Sequence, residues 1–268
     1  MKKPNKESPK DSKKKKRKKN EPLYRLQELF KKPELSPEQI AQARQLIQKL
    51  PTSTLQGDYF EKLQYKVPYF NQRDSAHPGV GDSMCNMSSM AMGLALFGVS
   101  NPKPGMQYDD ALEQIRQDEE MKPRDEWGQM QIADHFGFSY TGLREGYEQT
   151  YPTPEQSVEY NWYLKHVTPH LRKGNAVTIS VIDKTDSDNG HIVHLLGVTP
   201  EGIYVHDPYG KIDFSAASYA NAWDKNATKD DLTNPTATQK GKKVLWRYDS
   251  IKKSDKLKIN WLRVTIKK

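Results

Sequence analysis

Cysteine is nearly absent from this chain: there is one in 268 residues, Cys85. A single thiol excludes an internal disulfide framework and any multi-cysteine zinc site, so Cys85 is either an inert small hydrophobe or a reagent. Long apolar runs are missing as well. Each candidate is broken by His, Gly or charge within ten positions, short of the ~18 uninterrupted apolar residues that a bilayer span needs, so no transmembrane segment is expected. Neither a glycine-rich phosphate loop nor an internal repeat occurs, and nothing reads as a nucleotide site. Hydrophobic residues make up only 35% of the chain, but that shortage is concentrated in one place.

The place is residues 1–20. They hold 11 of the 42 Lys and Arg against Glu7 and Asp11, a balance of +9, and leave 31 basic and 32 acidic groups in the other 248 residues. The pI near 9.2 therefore belongs to a solvated arm on an otherwise neutral protein. With Pro4, Pro9 and nothing apolar after Met1, this run is expected to be disordered. It reads as a solubilising tail, an address for a carrier particle, or a grip on an anionic polymer such as nucleic acid, teichoic acid or a membrane surface. No apolar stretch follows it that would make a secretory signal peptide. The expectation is a protein cytoplasmic as synthesised and delivered, if at all, by a non-classical route such as a virion, an injection particle or lysis.

Residues 21–62 form an N-terminal helical docking segment, and 63–268 the main domain. Leu23, Leu26, Leu29 and Phe30 are at helical spacing over 23–31. Ser36, Pro37 and Gln39 make a capping box that opens a second helix, lined by Ile40, Ala43, Ile47 and Leu50 and ended by Pro51. From Tyr65, YKVPYFNQRD reads as a short strand into a loop, and Pro78, Gly79 and Gly81 mark an irregular connection. NMSSMAMGLALF, Asn86 to Phe97, reads as a buried helix closed by Gly98, with Cys85 at its N-terminus. Further helices are predicted at about 109–120 from Asp109, 126–136 from Asp125 to Gly137, and 157–172. The second half switches to β-branched and aromatic runs at 176–182, 191–198, 202–207, 243–248 and 258–266. Helices first and an antiparallel sheet afterwards define an α+β domain of two lobes with a site between them.

A helix N-terminus stabilises a thiolate, which gives Cys85 the right local address for a nucleophile. Its base must be one of seven histidines. His77 lies in a loop, while His135, His166 and His170 lie in polar helical surroundings and read as surface residues. His191 opens a buried strand directly after Gly190, where a base can be held rigidly. His194, three on, points to the opposite face and reads as packed or half-buried. Asp207, beside Pro208 at the end of the next strand, is placed for hairpin pairing to bring its carboxylate to the His191 imidazole, and His206 faces the other way. Gln72, thirteen residues before the cysteine, could join the Cys85 amide as an oxyanion donor.

The segments VPYFNQRD, SMCNMSSMAMGLALFG and GHIVHLLGVTPEGIYVHDPYG together resemble the papain-like cysteine peptidases of the bacteriocin-leader-peptidase-like group, family thirty-nine in its broad sense, over roughly residues 65–210. That resemblance implies a papain-like two-lobed fold. It also implies Gln72 as oxyanion donor, Cys85 as nucleophile, His191 as general base and acid, and Asp207 as the residue orienting it. Asn86-Met87 stand where the group usually has Gly-Pro or Gly-Leu, and no transporter segment follows. Similar Cys-Asn forms occur in stand-alone bacterial and phage proteins linked to cell-wall cleavage.

Asp183, Asp186 and Asp188 collect before Gly190, but their spacing misses the known calcium loop and an ordinary turn is the simpler reading. Tyr147, Tyr151, Tyr160, Trp162 and Tyr163 read as core aromatics rather than a substrate groove. No metal or cofactor is expected. The leading function is thiol hydrolysis of a peptide or amide bond, with bacterial cell-wall cross-links as the first candidate. The alternatives are an inactive papain-like module working through its basic arm, or acyl transfer to an amine by the same residues.

Overall fold

A computed structural model describes residues 21–77, 80–124, 126–144, 146–186, 190–228 and 236–268. The Lys-rich arm, Pro78, Gly79, Asp125 and Asp188 lie outside the described residues.

The N-terminal amphipathic runs fold into three helices, α1 (Pro22–Phe30), α2 (Pro37–Gln48) and α3 (Ser53–Gln64). The capping box opening α2 is formed: the Ser36 hydroxyl accepts from the Gln39 amide, and the Gln39 side chain accepts from the Ser36 amide. The third helix has no counterpart in the sequence reading and runs across position 62. Leu26, Ile40, Ile47 and Leu63 from these helices share one core cluster with Met92, Leu96 and Ala176 of the main domain.

α4 (Cys85–Leu96) is the central helix. Every residue from Asn86 to Leu96 is buried, as the all-round apolar pattern requires. It joins the first cluster through Met92 and Leu96, and a second one through Met87, Met90 and Leu94. The second also holds residues of α5 (Tyr108–Asp118) and α6 (Glu126–His135). Gly98 closes α4 at φ +82°, in the left-handed region open to glycine.

Among the described residues, eight strands follow the α4–α6 unit. β1 (Phe138–Thr141), β2 (Ala176–Asp183), β3 (Gly190–Thr199), β4 (Gly202–His206), β7 (Val244–Arg247) and β8 (Leu257–Lys267) make one antiparallel sheet in the order β1-β8-β2-β3-β4-β7. β5 (Gly210–Ile212) and β6 (Trp223–Lys225) form a separate two-stranded ribbon. β2 is buried along its whole length, which is why AVTISVI reads as an unbroken apolar run. The main sheet core, with Val177, Ile179, Val193 and Trp246, also takes in Tyr163, Leu171 and Ile251 from α7 (Tyr160–His166), α8 (Thr168–Arg172) and α9 (Tyr248–Lys253). The fold is α+β and papain-like.

Three expectations need correction. YKVPYFNQRD forms no strand: Pro68 lacks a donor, and the segment bonds to loops instead, Gln72 N–H to Pro208 at 3.0 Å and the Tyr69 hydroxyl to the Asp207 carbonyl at 2.6 Å. The helix expected over 157–172 is split at Val167 into α7 and α8, with Pro169 in the first turn of the second. Of the aromatic set, Tyr163 is fully buried, but Tyr147 and Tyr151 are 52% and 61% exposed and are not core.

Gly98→Ala tests the seating of α4. A Cβ there would lie 2.6 Å from that of Ala41 on α2, on backbone that L-residues avoid. A loss of about 2–4 kcal/mol in urea-unfolding free energy is expected from the two penalties together.

Candidate active site

Cys85 is the first residue of α4, and the preceding Met84 offers no side-chain cap, so the first-turn amides are left for other acceptors. The sulfur lies within their influence: the amides of Asn86 and Ile192 both lower the pKa of the Cys85 thiol. Ser89, one turn on, donates its hydroxyl to the Ile192 carbonyl at 3.0 Å and ties the helix to β3 beside His191.

His191 pairs with Val181 in the β2–β3 ladder. His194 pairs with His206 across β3–β4, and Asp207 follows on the opposite face, the face of His191. Its Oδ1 accepts from His191 Nε2 at 2.6 Å, with both side chains buried. The same oxygen accepts from the Tyr209 amide at 3.0 Å, and Oδ2 accepts from Trp223 Nε1 at 3.1 Å. Both carboxylate oxygens are therefore satisfied in a site with no water access. Trp223 also packs edge-on against the imidazole, with centroids 5.2 Å apart.

With Nε2 held by Asp207, Nδ1 is the nitrogen left to face the thiol, and Cys85 and His191 act on each other's pKa. Burial pushes the Cys85 pKa up, but the bond and charge of His191, with the Ile192 and Asn86 amides, outweigh it and the net shift is downward. Burial likewise pulls His191 down, and the Asp207 charge, the Asp207 bond and Cys85 overcome it and raise the group to about 10. The two shifts run in opposite directions, both towards a thiolate beside an imidazolium.

Gln72 is fully buried in a 3₁₀ turn, Gln72–Asp74. Its Nε2 donates one hydrogen to the Gly81 carbonyl at 2.9 Å, and its Oε1 has no partner. It is not among the side chains lining the cavity onto which Cys85 and His191 open. That cavity measures about 710 Å³ and is also walled by Asn86, Arg124, Gln129, Tyr219, Trp223 and Lys225.

The other histidines separate cleanly. His194 and His206 are fully buried, and burial holds His194 down at about 3 and His206 well below its ordinary value. In the 183–190 loop Asp183 accepts from the amide and hydroxyl of Thr185, an ordinary turn. No group of three or more potential metal ligands occurs among the described residues. Also among them, no helix is long and apolar enough to cross a membrane.

Sequence reasoning missed Tyr209 and Trp223. The first was readable, since Asp-Pro-Tyr is the signature of an Asx turn in which the aspartate caps the amide two residues on. Trp223 had no local signal: the β5–β6 ribbon delivers it from sixteen residues beyond Asp207.

The profile of the Peptidase_C39 like family matches residues 64–231, well over half of the chain. The chain belongs to this cysteine peptidase-type family. No curated protein and no solved structure matches it.

Two measurements probe the pair. Intact-mass analysis of iodoacetamide labelling across pH 4–10 is expected to give a midpoint for Cys85 below the ~8.5 of a free cysteine. In His191→Ala burial is opposed only by the Ile192 and Asn86 amides, and the midpoint moves up. Identical profiles would mean an uncoupled pair. Trp223→Phe strands Asp207 Oδ2 without a donor and is expected to cost about 1–3 kcal/mol in urea unfolding.

Proposed function

We propose that this protein is a cysteine peptidase or amidase. The observation that carries the reading is the continuous chain of contacts from Cys85 through His191 to Asp207, opening on the cavity at the N-terminus of α4. The Cys85 thiolate attacks the carbonyl carbon of a peptide bond, forming a C–S bond and pushing the π pair onto oxygen. The Cys85 amide receives that oxyanion, and Gln72, buried off the cavity wall, joins it by turning its second Nε2 hydrogen towards the site as substrate binds. Imidazolium Nδ1–H gives its proton to the nitrogen as the C–N bond breaks and the amine leaves. Neutral His191 then takes a proton from water, whose oxygen attacks the thioester, and collapse releases the acid and restores the thiolate. Asp207 keeps its oxygen on Nε2–H throughout and holds the ring in the tautomer each step needs.

A bacterial cell-wall peptide cross-link is the proposed substrate. The support is a resemblance to Cys-Asn forms linked to wall cleavage, together with a +9 arm suited to an anionic wall polymer or carrier particle. Delivery by virion, injection particle or lysis fits the same reading.

The test is release of new amino groups from wall peptides. Cys85→Ala should drop turnover by more than about 10³-fold with the unfolding curve unchanged, and Gln72→Ala should cost about 10²–10³ in kcat, the range for one oxyanion donor. A silent Cys85→Ala, with function lost on deleting residues 1–20 instead, would replace the enzyme by a binding module. Products carrying a second amine in place of hydroxyl would make it an acyl transferase.

A further inference from the structure

The proposed catalytic residues leave the cavity one negative charge beyond what the imidazolium answers. The imidazolium answers one negative charge and the thiolate adds another beside it, while Asp207 is bound on both oxygens. What remains on the walls is one-sided. Asp82 is the only acid among the described lining residues, and its Oδ1 already holds Arg73 Nε at 2.9 Å.

Two cations on different walls have no such close answer. Lys225 makes no ion pair among the described residues, and its Nζ rests 5.1 Å over the Tyr209 ring, which borders both the cavity and His191. Arg124 lines the same cavity from a different part of the chain, the turn before α6. Its nearest carboxylate is Glu113, 3.8 Å away, which is itself held by Arg116 at 2.8 Å. Arg124 Nη2 donates to the Ser83 hydroxyl at 3.0 Å, while Nη1 is buried with no partner among the described residues. Asn86, next to the nucleophile, fixes this residue in place by donating its side-chain amide to the Arg124 carbonyl. Gln129, 3% exposed on the same cavity, has an Oε1 with no partner among the described residues, an acceptor suited to a substrate backbone N–H beside the carboxylate. Buried polar atoms in this state are rare in a finished site and common where a ligand completes it.

From these placements we infer that the cavity selects a substrate bearing a carboxylate close to the cleaved bond, an acidic peptide, with Arg124 and Lys225 as the specificity-determining cations. The inference rests on the thiol reading above. A guanidinium offers a carboxylate paired donors, and an ammonium free to leave its ring adds a second charge from the other wall.

Cys85 is the only thiol, so the cavity can be read with two reagents of nearly equal size. In each, the thiolate sulfur forms a bond to the methylene carbon as the C–I bond breaks and iodide leaves. Iodoacetate carries a carboxylate at the next carbon, and iodoacetamide a neutral amide. The ratio of their rates cancels any change in the intrinsic reactivity of the thiol and reports the preference for an anion. In the full-length protein that ratio is expected to exceed the ratio for N-acetylcysteine at least tenfold. It should fall about three- to tenfold in Lys225→Met and in Arg124→Gln, as removal of one unit charge at cavity range predicts, and shrink towards that of the variants as salt is added. Arg124→Lys keeps the charge and should keep most of the ratio.

An equal ratio in the native protein and both variants overturns the selectivity and leaves the thiol reading standing. No labelling by either reagent until the protein is unfolded overturns both.

Discussion

The seating of one helix on one strand governs everything else in this molecule. α4 is buried on all sides, and its first turn is tied to β3 by the bond from Ser89 to the Ile192 carbonyl. A helix so enclosed has no freedom to slide, so the thiol at its first position and the imidazole at the start of β3 are held in register by the core rather than by each other. The helical clusters on either side supply that enclosure. α1–α3 share a cluster with Met92 and Leu96, which makes the N-terminal helices part of the support of the helix that carries Cys85.

The second constraint is the cost of burying Asp207. A carboxylate without solvent is stable only if every oxygen is answered, and here the answers come from three directions: the imidazole, the Tyr209 amide and the Trp223 indole. The loop before α4 joins the same system, since Tyr69 bonds the Asp207 carbonyl and Gln72 N–H bonds that of Pro208. Asn226 closes the ring by donating to the Tyr69 hydroxyl and to the Pro208 carbonyl. Four separate stretches of chain thus converge on one buried charge, and the segment that carries Gln72 is bonded to the one that carries Asp207.

What could be read in advance follows from how local each signal is. The helix at Cys85, the central strands and the capping box of α2 each rest on residues within one or two turns of each other. Position 191 was readable because Gly190 and the apolar run after it announce a buried strand start. α3 was not, because Gly57 sits at its centre and weakens the helical signal, and the residue makes sense only once the Arg172 guanidinium is seen lying 2.9 Å from where a Cβ would be. The unpaired segment at 65–70 has the composition of a strand but lacks a neighbour to pair with, which no local pattern reveals. The ribbon that brings Trp223 to Asp207 has strands of three residues, too short to show a period.

The same distinction separates the chemistry from its selectivity. In the proposed roles Cys85, His191 and Asp207 make a cluster of two anions around one cation, so most of its field is answered locally and about one negative charge is left over. Charges left without so close a partner act further. Arg124 comes from the turn before α6 and Lys225 from the end of β6, so neither shares an element with the catalytic residues and either can change without disturbing them. Walls built this way let one rigid catalytic core serve different substrates, with the choice made by side chains on loops and short strands around a fixed helix and sheet.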